Sequence, residues 1–292
     1  MNTRDICFRS NGVRDILRLF HEELDALYGR GEVAVFAEML FEAFLGWDRV
    51  RLLSSRDETV NQSDLLRFHW ALEDLKRHRP IQHIIGHTDF CGCRVRVCPD
   101  VLIPRSETEE MVEAIVANMQ GSKSLRVMDL CTGSGCIAIA LKKAFPEAGV
   151  SAVDISPAAL AVARENAKDN GTDVMFIQGD VLSPGFRPPF ASCNLIVSNP
   201  PYVRESERSA MDANVLDYEP RQALFVPDAD PLLFSRAIGR LAQGCLAEGG
   251  LLAMEINEAL SGETAALLHG MGFCTVVHTD FRARARWIAA RR

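Results

Sequence analysis

Two hydrophobic periods divide the chain. Up to about residue 85, apolar positions recur at helical spacing. Ile16, Leu17, Phe20, Leu24 and Leu27 form one stripe, and Leu65, Phe68, Leu72 and Leu75 another. Val33 to Leu45 predicts a further helix that stops at Gly46. Strand-like alternation is missing from this stretch, so a small helical bundle is expected. From Thr88 to Val101 the period shortens to two through Arg94, Val95, Arg96 and Val97, which predicts a β-hairpin. Beyond it, short branched apolar runs at 125–130, 150–154, 174–178, 194–198, 251–256, 273–278 and 286–290 are separated by helical sequence. That succession predicts an α/β fold with a largely parallel sheet. The expected organisation is a helical domain over 1–85, a hairpin linker over 86–105 and a larger α/β domain over 106–292.

The run Asn194 to Ser198 ends in Asn199-Pro200-Pro201-Tyr202. A proline pair supplies no ladder N–H, so the strand stops there. What remains is a rigid turn carrying a carbonyl, an amide side chain and an aromatic ring. This set suits the grip of a planar NH2 group. The Asn199 side-chain oxygen and the Pro200 carbonyl each accept one N–H, and the Tyr202 ring covers the flat face. Such a nitrogen is a weak nucleophile, so aligning it with an electrophile is most of the catalytic task.

Upstream, the strand Leu125–Leu130 runs through Asp129 into Cys131-Thr132-Gly133-Ser134-Gly135-Cys136-Ile137-Ala138 and then into a helix. Strand, glycine turn and helix in that order make a cofactor-binding pattern. The next strand ends in Asp154, about 20 residues on, where an α/β fold places the acid that receives ribose hydroxyls. The third ends in Gly179-Asp180, a second carboxylate at the same sheet edge, suited to an adenine amino group. A nicotinamide dinucleotide would use the glycines and Asp154 but not the Asn199–Tyr202 turn. S-adenosylmethionine would also need an acid for its ammonium group, and Asp129 precedes the turn.

These residues carry a resemblance. The chain resembles the class I S-adenosylmethionine-dependent methyltransferases, and within them the protein-(glutamine-N5) methyltransferases of peptide chain release factors. Besides the Asn-Pro-Pro-Tyr turn, the resemblance rests on Pro80 to Gly86 with Phe90 and Gly92, on Val101 to Glu109, on Tyr218 to Leu224 and on Gly249 to Ile256. Ser106 stands where the family usually has proline. The resemblance implies a Rossmann-like seven-stranded sheet ending in an antiparallel hairpin, preceded by a small helical bundle that docks the substrate. It implies methyl transfer to the glutamine of the release-factor GGQ motif, in translation termination. On this reading the methyl donor is held by Asp129, Cys131, Thr132, Gly133, Ser134, Gly135, Asp154, Asp180, Val181 and Asn199. Asn199, Pro200 and Tyr202 are catalytic, and Asn199, Pro200, Pro201 and Tyr202 hold the substrate. Two alternatives share much of this pattern: a glutamine methyltransferase of a ribosomal protein, and a methyltransferase of nucleic-acid exocyclic amines.

Composition adds constraints. At 292 residues the chain is long enough for two domains. Hydrophobic residues make up 48%, yet no uncharged run reaches the roughly 20 residues of a membrane span. Met1 to Asp5 leads into charged sequence unlike a signal peptide, and nine scattered cysteines suit a reducing compartment, so a cytoplasmic protein is expected. A net charge of −7 argues against stable binding to a nucleic-acid backbone and favours a protein substrate. Cys91, Cys93 and Cys98, near His83 and His87, raise the question of zinc. Cys91-x-Cys93 is too tight for the usual knuckle. Alternation instead puts both cysteines on one strand face, and no metal is expected. Arg282, Arg284, Arg286, Arg291 and Arg292 are read as a solvated strand face and tail, with RNA contact as the minor alternative.

Overall fold

The structure is a computed structural model that describes residues 8–121 and 124–292. The amino-terminal segment Met1 to Asp5 lies outside the described residues. The chain forms two compact units, one of Met1–Gly86 with Ala213–Tyr218, the other of His87–Asp212 with Glu219–Arg292.

The first unit is helical: α1 (Val13–Tyr28), α2 (Arg30–Leu45), α3 (Arg49–Ser54), α4 (Gln62–Lys76) and α5 (Ile81–Ile85). Val13, Ile16, Phe20 and Leu24 are the buried stripe of α1. They meet Leu65, Phe68, Leu72 and Leu75 of α4 in one core. Phe68 is its centre, 4.5 Å from the Phe41 ring and 6.4 Å from Phe20. Leu27, expected on the α1 stripe, is instead 47% exposed. The next residue, Tyr28, turns inward, edge-on to Phe36 at 5.1 Å. Gly46 closes α2 in the left-handed region at φ 68°, the conformation that favours glycine at a helix end.

The larger unit begins with a hairpin, β1 (His87–Phe90) and β2 (Cys93–Arg96). Its Phe90, Cys93 and Val95 are buried in the main core of that unit. Residues 87–105, read from sequence as linker, thus count with the larger unit. Cys91 is not on a strand face with Cys93; it occupies the turn at φ 46°, beside Gly92. Asn166, fully buried, ties the hairpin edge in place: its Oδ1 accepts from the Arg96 N–H at 2.7 Å and its Nδ2 donates to Arg96 O and Ser134 O.

There follow α6 (Ser106–Asn118), β3 (Arg126–Leu130), α7 (Cys136–Ala144), β4 (Gly149–Asp154), α8 (Pro157–Asp169), β5 (Met175–Gln178), β6 (Cys193–Ser198) and β7 (Val203–Arg204). After α9 (Ala213–Tyr218), which belongs to the first unit, come β8 (Phe225–Val226), α10 (Leu233–Cys245), β9 (Leu246–Glu255), α11 (Ser261–Gly270), β10 (Cys274–Thr279) and β11 (Ala285–Arg291). Seven strands make one sheet in the order β10-β11-β9-β6-β3-β4-β5, parallel except where β11 pairs with β9 and β10. Side chains alternate between two buried faces. Val127, Leu195, Val197, Leu251 and Ala253 join α6 and α7 on one face; Met128, Ile196, Leu252 and Met254 join α10 and α11 on the other. Burial of both faces explains why these strands read as continuous apolar runs. The chain moves outward from β3 through β4 to β5, then returns to β6 on the other side of β3. That reversal is a switch point, beyond whose carboxyl ends open α/β sheets bind ligands.

Ser106 is the first residue of α6, after Arg105 in extended conformation. At this position the backbone N–H has no helical partner, so proline and serine both fit. Just before it, Glu219 is nearly sealed, its side chain 1% exposed. Its carboxylate accepts from the Ile103 N–H at 3.0 Å and from the Arg105 guanidinium. Glu219→Gln would set an NH2 against one of these donors. About 2 kcal/mol of stability should be lost, seen as a lower urea midpoint with unchanged slope; an unshifted midpoint would deny the contact any anchoring role.

Candidate active site

The cavity at the switch point has a volume of about 260 Å³ and lies wholly within the larger unit. Its wall includes Cys131, Thr132, Gly133, Ser134, Asp154, Asp180, Val181, Asn199 and Pro201. Four strand ends deliver these residues together: β3 the turn, β4 Asp154, β5 Asp180, and β6 the Asn-Pro-Pro-Tyr motif.

The turn is built by its backbone. Thr132 N donates to Val153 O at 3.0 Å and Gly135 N to Thr132 O at 2.9 Å. Gly133 and Gly135 have φ of 55° and 81°. A Cβ on Gly135 would lie 3.0 Å from the Ala163 Cβ, so glycine is needed for both backbone angle and close helix packing. Asp154 reaches back to the turn. Its Oδ2 accepts from the Gly133 N–H at 2.8 Å, and its Oδ1 from the Ser156 N–H at 2.9 Å. Burial raises its pKa above the usual carboxylate value, while those backbone donors oppose the rise. Asp180 accepts from the Leu182 N–H at 2.8 Å.

Asp129, expected at the donor's ammonium group, is fully buried and lies outside the cavity wall, with Oδ1 unpartnered among the described residues. Its Oδ2 accepts from Thr132 Oγ1 at 2.5 Å and from the Ala138 N–H at 3.2 Å. Ala138 is the third residue of α7, and Gly135, the cap of that helix, has no side chain to satisfy it. Asp129 thus supplies from the strand the acceptor that an N-cap residue would normally give. Burial, the largest influence, lifts its pKa to about 7, and the Asp154 charge adds to the rise.

Asn199 is half-buried at the cavity edge, and its Nδ2 donates to Thr108 Oγ1 at 3.2 Å. Pro200 and Tyr202 do not line the cavity, although Pro201 does. The Tyr202 hydroxyl donates to Glu255 Oε2 at 3.3 Å, and burial raises its pKa. The turn is held on its far side, where Asn257 Nδ2 donates to Tyr202 O at 3.1 Å and β7 pairs in parallel with β8.

Residues 106–221 match the methyltransferase small domain, and residues 15–86 match the PrmC N-terminal domain. A release factor glutamine methyltransferase of Flavobacterium psychrophilum is 42% identical over 258 residues, which are 87% of this chain and 90% of that one. Another, from Bacteroides thetaiotaomicron, is 42% identical over 245 residues, 84% and 87% of the two chains. This chain belongs to the release factor glutamine methyltransferase family. The catalytic domain of hMettl16, solved with an RNA hairpin of the MAT2A 3′UTR, superposes over 82% of this chain and 85% of that one with a TM-score of 0.53. At 13% identity that likeness is one of fold.

Several wall residues of this methyltransferase were not among the expected site residues. Asp100, Val101, Leu102 and Thr108 come from the segment before and at the start of α6; Gln222, Ala223 and Phe234 come from beyond β7. Thr108 and Glu255 lie in segments that carry the family resemblance, but 147 positions separate them, so nothing local signals their shared hydrogen bond. Among the basic residues near the C-terminus, Arg286 is paired with Asp280 at 2.8 Å and Glu107 at 3.4 Å, and so is not a free cation.

Proposed function

We propose that this methyltransferase transfers a methyl group from S-adenosylmethionine to the side-chain amide nitrogen of a glutamine in peptide chain release factors. The reading rests on one juxtaposition: Asn199 lines the same cavity as the glycine turn, Asp154 and Asp180. The donor set fits the methyl donor. Asp154 offers carboxylate acceptors for the ribose, Asp180 accepts from the adenine amino group, and Ile155, Val181 and Leu182 give apolar wall for the ring. The left-handed backbone at Gly133 lets the methionyl part approach the main chain. When bound, the donor supplies a sulfonium-activated methyl carbon as the electrophile.

Asn199 Oδ1 and the Pro200 carbonyl each accept one N–H of the substrate amide. These acceptors strengthen as positive charge develops on nitrogen, so their effect is concentrated in the transition state. Pro200 and Pro201 hold the carbonyl rigidly, so little reorganisation accompanies the reaction. The Tyr202 ring braces the planar group. The helical unit serves as the docking domain for the protein substrate, a role supported by the match of residues 15–86 to the PrmC N-terminal domain. The reaction belongs to the cytoplasm, where release factors act. Among the described residues no helix is long and apolar enough to cross a membrane.

Incubation with isotopically labelled methyl donor and a panel of release factors, ribosomal proteins and nucleic acids tests the reading. Label on a release-factor glutamine side chain, located by mass spectrometry, is the expected result. Label confined to a ribosomal protein or to a nucleobase would replace it.

A further inference from the structure

We propose that Glu255 and Thr108 form a positioning pair that fixes which end of the Asn199 carboxamide faces the cavity. The proposal rests on the reading of Asn199 as an acceptor for the substrate N–H. Glu255, at the end of β9, is buried, and each of its oxygens has one donor: Thr108 Oγ1 on Oε1 and the Tyr202 hydroxyl on Oε2. An ionised carboxylate only accepts, so the single Thr108 proton is committed to it. The Thr108 oxygen can then only accept from its remaining neighbour, Asn199 Nδ2 at 3.2 Å. The amide nitrogen is held on that side, and Oδ1 is left for the cavity. With Glu255 protonated, the order can reverse. Its O–H can point at Thr108, the Thr108 proton can turn to Asn199, and the flipped carboxamide would present NH2 to the substrate's NH2. Two donors would then face each other.

Glu255 therefore acts in its ionised form. Burial is the main influence that raises its pKa to about 7; the neighbouring Glu107 charge also raises it, and the Thr108 and Tyr202 hydrogen bonds and Arg105 oppose the rise. The groups facing it are Thr108 and Glu107 of α6, Arg105 just before α6, Tyr202 beyond β6, and Trp287 across on β11, where the adjacent Arg286 is engaged by Glu107 and Asp280. Turnover at saturating donor should thus rise about tenfold per pH unit up to about pH 7 and level off above it. Asp129, also raised to about 7, supports the glycine turn and should act on donor affinity, which saturation removes from the measurement.

The test compares kcat with a release-factor substrate across pH for wild type, Glu255→Gln, Thr108→Val and Thr108→Ser, with donor affinity by calorimetry. Thr108→Val keeps the shape but not the hydroxyl, and kcat should fall roughly 10²-fold. Thr108→Ser should recover most of that loss. Glu255→Gln offers Thr108 either a carbonyl or an NH2; kcat should fall by roughly tenfold and the acid limb should vanish. Retention of that limb in Glu255→Gln, or near-normal kcat in Thr108→Val, would overturn the proposal. Asn199→Ala, run alongside, separates the two ideas. If it is fast, the reading of the site fails; if it is slow while Thr108→Val is fast, only the positioning pair fails.

Discussion

Asn199→Ala is expected to lower kcat by roughly 10²–10³-fold, the loss typical of deleting one preorganised hydrogen-bond partner of a transition state. Donor affinity should change little, because the polar anchors proposed for the donor lie on the glycine turn, Asp154 and Asp180. The large figure follows from where the side chain stands. Its Nδ2 is already engaged by Thr108 at 3.2 Å, so Oδ1 is the end free to meet a ligand. Water in the space left by alanine could accept the same N–H, but it would have to be oriented anew in each turnover. Loss of fixed orientation outweighs loss of the hydrogen bond itself, whose net worth in water is only about 1 kcal/mol. The check is single-turnover kinetics with donor dissociation measured separately. A variant within a few-fold of wild type would remove Asn199 from the chemistry.

The architecture was legible where local pattern determines it. The run Asn194 to Ser198 is apolar and branched because both faces of β6 are buried, and Pro200 forces its end. The glycine turn and Asp154 were legible because a close backbone turn and a strand-end carboxylate occur at a characteristic spacing. The placement of Asp129 was only partly legible. Sequence shows an acid before the turn but not its direction, and the side chain goes to the bare N-terminus of α7. Leu27 failed similarly: it continues the helical period, yet the Tyr28 ring takes the inner place by packing on Phe36. The Asn199–Thr108–Glu255–Tyr202 chain of hydrogen bonds was invisible because it joins α6, the end of β6 and the end of β9, which only the sheet order brings together. The same holds for the pairing of Glu219 with Arg105 and Ile103.

Asp154→Ala should act on binding and leave turnover at saturating donor nearly intact. The carboxylate has two tasks. Each oxygen accepts one backbone N–H, from Gly133 and from Ser156, and so fixes the turn against β4. On the proposed reading, each also keeps a lone pair for a ribose hydroxyl. Two hydrogen bonds to a charged group, at about 1.5–3 kcal/mol each, put the loss of donor affinity at roughly 10²-fold or more. Asp154→Asn should be nearly as harmful as alanine, despite its matching shape. Its NH2 must face one of the two backbone N–H groups, and that clash of donors would push the turn outward. A surface carboxylate would respond differently, with asparagine close to wild type and alanine mild. Calorimetric titration of the donor into both variants distinguishes the cases, and an unchanged dissociation constant in Asp154→Ala would take Asp154 out of the donor site. Because the Gly133 N–H loses its acceptor in Asp154→Ala, hydrogen exchange at that amide should quicken even without ligand. The residue proposed to receive the donor thus also holds the turn, and weakened binding should appear together with a loosened loop.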